Sequence, residues 1–385
     1  MNILIVSPYF PPDKGIGTLR MESLAKYLLK QGCEVTVLTN AKSCDSSSLL
    51  PEFKYSFVNV PAEDLGYMRE FIELQQLYKA AFEKLTDSKS FDAAVISGGP
   101  FYSFDVALAD ENRLPCVLDF RDPWCFDYRP DKNFFNIKTL LCRMLEIPME
   151  RRAVKAAAAV VTVTEGWKNK FRRLYHRQRD KFYTIANGYN DEVLDSITFP
   201  DKTEEHGFTV GAFGKLFYYT EKYSRVFLSA LHGMKDDIEI LQVGEKEAEA
   251  DRLLDESGLP ENLLKSTGFL QYDEGIKELS RSDFFLIIDE RKSAMGTKLY
   301  DYIYLNKPIV YVGPADTAIA RTVSGFENGF ACSSAEEVIQ AIADIRKNHT
   351  VALTEKSIKA DYSRSGQNKK YYALLKSLAE NFRAL

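Results

Sequence analysis

Thr209-Val210-Gly211-Ala212-Phe213-Gly214 is an apolar, strand-like run that ends in a glycine. Behind it, Tyr223, Val226, Phe227, Ala230 and Leu231 recur at the spacing of one helix face, and residues 238–243 form a second apolar run that stops at Gly244. The first forty residues repeat this plan. Residues 3–6 are a buried-strand run, residues 11–17 a loop, Met21, Leu24, Ala25 and Leu28 a helix stripe, and Gly32 ends that helix before a strand at 35–38. Strands that alternate with helices pair in parallel through right-handed crossovers, and such sheets bind ligands beyond the carboxyl ends of their strands. The expected fold class is therefore α/β, with two facing Rossmann-like domains and an interdomain cleft. Either glycine loop alone is equally well explained as an ordinary tight turn. Their repetition favours a ligand site.

Outward from these units, strands are expected at 93–96, 116–120, 160–163 and 183–186 in the first half and at 284–288 and 308–312 in the second, with helices at 335–346 and 368–382. Residues 191–207 lose the apolar pattern, carry Pro200 and several acids, and read as a linker. The expected domains are 1–190, 207–360, and a C-terminal helical stretch at 361–385 that packs back towards the first domain. Residues 43–77 and 124–135 read as loops.

The chain has 385 residues, 45% hydrophobic and 27% charged, enough for two ordinary cores. A net charge of −5 argues against a general nucleic-acid binder. No run approaches the roughly 20 apolar residues of a membrane span, and the early first strand leaves no signal segment, so the expected location is cytoplasmic. The cysteines at 33, 44, 116, 125, 142 and 332 form no C-x-x-C pair and read as reduced core residues. His176, His206, His232 and His349 are scattered, so no built-in metal or cofactor is expected. Residues 143–181 hold eleven Lys and Arg against four acids, beside an apolar stretch that includes Met144 and Leu145. That tract suits peripheral contact with an anionic membrane surface, but Pro148 interrupts the stripe, which favours a core-facing helix with a solvated basic face.

Five stretches, in order, carry a family resemblance. Ser7-Pro8-Tyr9-Phe10-Pro11-Pro12 with Gly15-Ile16-Gly17-Thr18-Leu19-Arg20; Asp119-Phe120-Arg121-Asp122-Pro123-Trp124; Val163-Thr164-Glu165-Gly166 with Ile185-Ala186-Asn187-Gly188; Gly214-Lys215-Leu216; and Gly296-Thr297-Lys298-Leu299-Tyr300-Asp301-Tyr302 with Lys307-Pro308. Together they resemble the retaining, nucleotide-sugar-dependent glycosyltransferases of family 4, which have the GT-B architecture. The resemblance implies transfer of a sugar from a nucleotide sugar to a hydroxyl of a glycan or lipid-linked acceptor, in surface polysaccharide or glycoconjugate synthesis, with the departing phosphate oxygen taking the acceptor proton.

A diphosphate needs cations and free backbone N–H groups where charge develops. The donor-binding candidates are Gly15, Gly17, Gly214, Lys215, Lys222, Gly244, Leu270, Gly296, Thr297, Lys298, Leu299 and Asp301. Lys215 is the main catalytic cation, and Lys222 is a second cation or a solvated lysine. Asp301 falls where the family places the second of two acids eight positions apart, which accepts from ribose hydroxyls. The first acid is replaced by Ser293, leaving Glu290 or Asp289 to reach the sugar. Acceptor-binding candidates are Ser97, Gly98, Arg121, Asp122 and Trp124. Asp122, the third catalytic candidate, either orients the acceptor hydroxyl or braces its loop.

A dehydrogenase is disfavoured because Arg20 breaks the G-x-G-x-x-G pattern and Thr39-Asn40 stands where an acid is needed. An epimerase of the same fold lacks well-placed histidines. A decayed nucleotide-sugar-binding scaffold subunit remains the other alternative, given Ser293 and the shortened Asp301.

Overall fold

A computed structural model describes residues 1–13, 16–40, 49–60, 67–109, 114–125, 137–200, 207–293, 295–347 and 352–384. The chain divides into two compact units, Met1–Ala186 with Gln367–Leu385, and Asn187–Gly366.

The first unit is built on seven strands: β1 (Asn2–Val6), β2 (Glu34–Asn40), β3 (Lys54–Val58), β4 (Ala93–Ser97), β5 (Cys116–Phe120), β6 (Ala159–Thr162) and β7 (Phe182–Thr184). All pair in parallel, in the order β3-β2-β1-β4-β5-β6-β7. The order reverses between β1 and β4, which is the topological switch point of this sheet. Every residue of β4 and β5 is buried, as sequences apolar on both faces require. Each large aliphatic or aromatic side chain so buried contributes roughly 1.5–3 kcal/mol.

Residues 54–58 and 67–77, which read as loop, instead form β3 and the start of the helix Tyr67–Ser88. β3 is an edge strand with one buried residue, so its apolar signal is weak. The helix buries Phe71, Leu74, Tyr78 and Phe82 on one face. The final helix runs Arg364–Arg383, and its Tyr371 and Leu375 lie in the core beneath β1 and the helix Ile16–Lys30.

The second unit has six parallel strands: β8 (Phe208–Phe213), β9 (Ile238–Val243), β10 (Leu264–Ser266), β11 (Phe284–Ile288), β12 (Ile309–Val312) and β13 (Gly329–Cys332). Their order is β10-β9-β8-β11-β12-β13. Of the stretch read as a linker, residues 191–200 and 207 are described; Asp191–Leu194 is helical with Leu194 fully buried, and an isolated bridge joins Tyr189 to Ser363.

At the switch point between β8 and β11 only Phe284↔Val210 and Phe285↔Gly211 are in register. Beyond them the buried Tyr302 hydroxyl takes over, accepting from the Phe213 amide at 2.7 Å and donating to the Leu286 carbonyl at 3.4 Å. The carboxyl ends of the two strands are thereby held apart with their polar groups satisfied. No helix among the described residues is long and apolar enough to cross a membrane.

Candidate functional site

A pocket of about 180 Å³ opens where β8 and β11 part. Phe213, Gly214 and Lys215 line it from the end of β8, Ile287, Asp289 and Arg291 from the end of β11, and Gly296, Thr297, Lys298 and Leu299 from the loop and first turn that follow, with Tyr219 and Ile319 completing the wall.

The Gly214 turn is fixed from behind. Gly214 has φ +65° and Gly244 φ +143°, and a Cβ on Gly244 would stand 3.1 Å from the Gly214 Cα, so both positions favour glycine. The buried Gln242 amide donates to the Gly214 carbonyl at 2.9 Å and to the Glu247 carboxylate at 2.7 Å, and Glu247 accepts the Leu216 amide at 2.5 Å. On the far side of the pocket, the helix Lys298–Leu305 starts at Thr297 with no side-chain cap. In its first turn the Leu299 amide donates to the Gly296 carbonyl at 3.3 Å and the Tyr300 amide to the Thr297 carbonyl at 3.0 Å, so the helix start is closed by short-range bonds of its own.

Lys298 spans the two loops, donating to the Lys215 carbonyl at 2.5 Å. Burial lowers its ammonium to about 8; Asp289 and Glu247 oppose that shift and Arg291 adds to it. Lys215 is exposed, with its ammonium 5.6 Å from the Tyr218 ring centre. Asp289 is buried and clasped by Arg291, whose guanidinium stacks 4.0 Å from the Tyr219 ring centre. The pocket thus joins three cations, one buried acid, two glycine turns and the positive end of a helix. Such a set suits a diphosphate.

Six of the donor-binding candidates line this pocket: Gly214, Lys215, Gly296, Thr297, Lys298 and Leu299. Lys222 does not; it is exposed, with its ammonium 4.9 Å from the Tyr223 ring centre. Glu290 also stays outside the lining, accepting from the Thr220 hydroxyl at 2.9 Å, and Thr220 caps the next helix. Leu270 is half-buried away from the pocket, and Gly244 supports it from behind. Asp301 is buried one turn beyond Lys298, where its carboxylate accepts from the Tyr272 hydroxyl at 2.7 Å and burial raises it to about 6. Arg291 and Tyr219 were not anticipated. The polar run Asp289-Glu290-Arg291-Lys292 directly after an apolar strand was their signal in the sequence.

In the first unit, the acceptor candidates gather beyond β4 and β5. Arg121 donates to the Gly99 carbonyl, approaches the exposed Asp122 carboxylate at 4.0 Å, and packs so closely on Gly17 that a Cβ there would overlap its guanidinium. The buried Ser97 closes β4, and the Gly98 amide donates to the Asp119 carbonyl at 3.0 Å. Trp124 turns inward; its ring stacks 5.2 Å from Phe101 and is nearly fully buried, so packing consumes its face. Gly15 lies outside the described residues. Beneath this loop, Arg20 pairs with the buried Asp119 at 3.0 Å and donates to the Ile185 and Ala186 carbonyls. Among the described residues no group of three His, Cys, Asp or Glu is placed to hold a metal ion.

Residues 18–193 match the model of Glycosyltransferase Family 4. No curated protein matches it in sequence. Among solved structures, a glycosyltransferase from Rickettsia africae ESF-5 is similar at 16% identity and TM-score 0.67, with 99% of each chain covered. Alr3699/HepE from Anabaena, in complex with UDP and glucose, is similar at 19% identity and TM-score 0.63 over 98% of this chain and 100% of that one. A UDP-GlcNAc 2-epimerase from Methanocaldococcus jannaschii also aligns, at 12% identity and TM-score 0.56 over 98% and 100%. At these identities the likeness establishes the fold, which is the GT-B architecture of two Rossmann-like sheets.

Proposed function

We propose that this protein is a metal-independent glycosyltransferase that moves a sugar, with retention of anomeric configuration, from a nucleoside-diphosphate sugar to a hydroxyl of a glycan or lipid-linked acceptor. The observation that carries this reading is the cation-lined pocket at the carboxyl ends of β8 and β11, built from Gly214-Lys215 and Gly296-Thr297-Lys298. The UDP and glucose held by the Anabaena structure make uridine diphosphate sugars the first donors to try.

On this reading Lys215, Lys298 and the positive end of the helix Lys298–Leu305 receive the diphosphate and stabilise the charge that grows on it as the glycosidic bond breaks. The leaving phosphate oxygen accepts the proton of the attacking hydroxyl, so the protein supplies position and charge more than acid–base chemistry. Asp122, exposed beyond β5, orients the acceptor hydroxyl, and the Gly17–Arg121 contact sets the loop around it.

The likeness to an epimerase gives a second reading, but the pocket holds no histidine and its one acid, Asp289, is engaged by Arg291. A binding scaffold is the third, supported by the occupation of Asp301 by Tyr272. Incubating the protein with diphosphate sugars of uridine, guanosine and adenosine separates them: released nucleoside diphosphate indicates transfer or hydrolysis, an isomerised donor indicates epimerisation, and binding without turnover indicates a scaffold. Lys215→Ala is expected to lower turnover by a hundredfold or more, about 2.7–4 kcal/mol of barrier, with the fold intact. Unchanged turnover in that variant would remove the assignment.

We further propose a cytoplasmic protein that visits an anionic membrane surface. On the helix Ile137–Ala156, Met144 and Leu145 are exposed in company with Arg151, Arg152 and Lys155. Failure to co-sediment with anionic vesicles at low salt would remove that part.

A further inference from the structure

We infer that Arg291 is a third diphosphate-binding cation of the β8–β11 pocket, set in place by Asp289 and Tyr219; this rests on the nucleotide-sugar reading of that pocket. The sequence offered Lys222 as the partner of Lys215, and the fold places Lys222 outside the lining and Arg291 inside it.

The guanidinium is held on one edge and one face. Its Nε lies 3.0 Å from both Asp289 oxygens and its Nη2 2.5 Å from one of them, while the Arg291 amide donates to the same carboxylate at 2.9 Å. Tyr219 covers a face at 4.0 Å. The Asp289 side chain is 3% exposed and the Arg291 side chain 28%, so the acid lies within and the arginine, which lines the pocket, retains exposed surface. The Nη1 edge is not used by Asp289, and its planar pair of donors suits a phosphate oxygen. A side chain already fixed in this way loses little rotamer freedom when a ligand arrives. Charge supports the same role. Lys215, Lys298 and Arg291 outnumber the single acid Asp289 in the lining by two, which suits a diphosphate.

Asp289 is itself supported, since its carbonyl accepts from the Tyr311 hydroxyl at 2.6 Å, and a Cβ on Gly313 would meet that carbonyl oxygen at 2.1 Å. Arg291 therefore stands on a buried, braced platform.

The test titrates wild type, Arg291→Gln, Arg291→Lys and Asp289→Asn with the diphosphates of uridine, guanosine and adenosine, with inorganic pyrophosphate and with the bare nucleosides. Arg291→Gln is expected to weaken the preferred diphosphate and pyrophosphate by about tenfold to a hundredfold while leaving nucleoside affinity unchanged. Arg291→Lys should recover part of the diphosphate affinity, as a point charge without the planar fork. Because Arg291 helps to lower Lys298, removing it should shift the alkaline loss of diphosphate affinity to higher pH in either role, so the readout that a merely structural role would not give is the loss of pyrophosphate affinity with nucleoside affinity unchanged. If Arg291→Gln unfolds, the folded Arg291→Lys variant carries the comparison. Wild-type diphosphate affinity in a folded Arg291→Gln protein would overturn the role of Arg291 and leave the pocket reading standing. No diphosphate binding by wild type would overturn both.

Discussion

Lys298 is a lysine whose charge is costly to keep. Burial brings its ammonium from 10.5 down to about 8, so near neutral pH the folded protein still holds a proton that the same lysine in the unfolded, solvated chain would bind more firmly. Between those values the unfolded chain binds more protons, so this group's unfavourable effect on stability is full below pH 8 and is relieved as pH rises towards 10.5. A bound diphosphate favours the charged form and raises the value again. Binding near pH 8 is therefore expected to take up a proton, with affinity falling as pH rises through 8. Calorimetry in buffers of different ionisation enthalpy measures that uptake, and buffer-independent heats would contradict it. Lys215 and Lys298 stood out in the sequence because each follows a glycine turn near a strand end. Arg291 did not, because its role depends on Asp289 and Tyr219, and only the folded pocket brings Tyr219 onto its guanidinium. Trp124 shows the opposite case: an aromatic after a strand suits a ligand platform or a core equally well, and packing on Phe101 decided for the core.

The elements of the first unit are tied by one buried ion pair. Arg20, on the helix Ile16–Lys30, reaches Asp119 on β5 and the carbonyls that follow β7, and the Tyr371 hydroxyl of the final helix donates to the same carboxylate at 3.1 Å. The Asp119 side chain is 1% exposed, so removing its partner leaves a buried charge uncompensated. Arg20→Met is expected to lower unfolding stability by about 3–5 kcal/mol, and Asp119→Asn added to it should recover part of the loss. Denaturant melts of the single and double variants measure both; a near-neutral Arg20→Met would show that the pair does not hold these elements. Most central strands could be read from their apolar runs. The edge strand β3 could not, since its residues are only partly buried and their pattern differs little from that of a loop.

Across the whole molecule the nucleotide-sugar reading assigns donor binding to the unit Asn187–Gly366 alone. Hydrogen exchange with saturating nucleoside diphosphate should then slow around residues 213–219, 242–247 and 289–300, with the core strands β4 and β5 unchanged, because a ligand stabilises the segments whose opening releases it. Protection centred on the first unit instead would place the nucleotide elsewhere.

By itself the sequence determined the α/β class, the repeated strand–turn–helix plan and the loops that carry Gly214-Lys215 and Gly296-Thr297-Lys298, because hydrophobic period and glycine position act locally. Only the tertiary structure decided which charges share a pocket. The crossover that sets β8 beside β11 brings Lys215 to Arg291 and Lys298 while it leaves Lys222 on the surface and Glu290 with Thr220. Such a neighbourhood is a property of strand order and of the point where paired strands separate, and short-range residue patterns do not encode it.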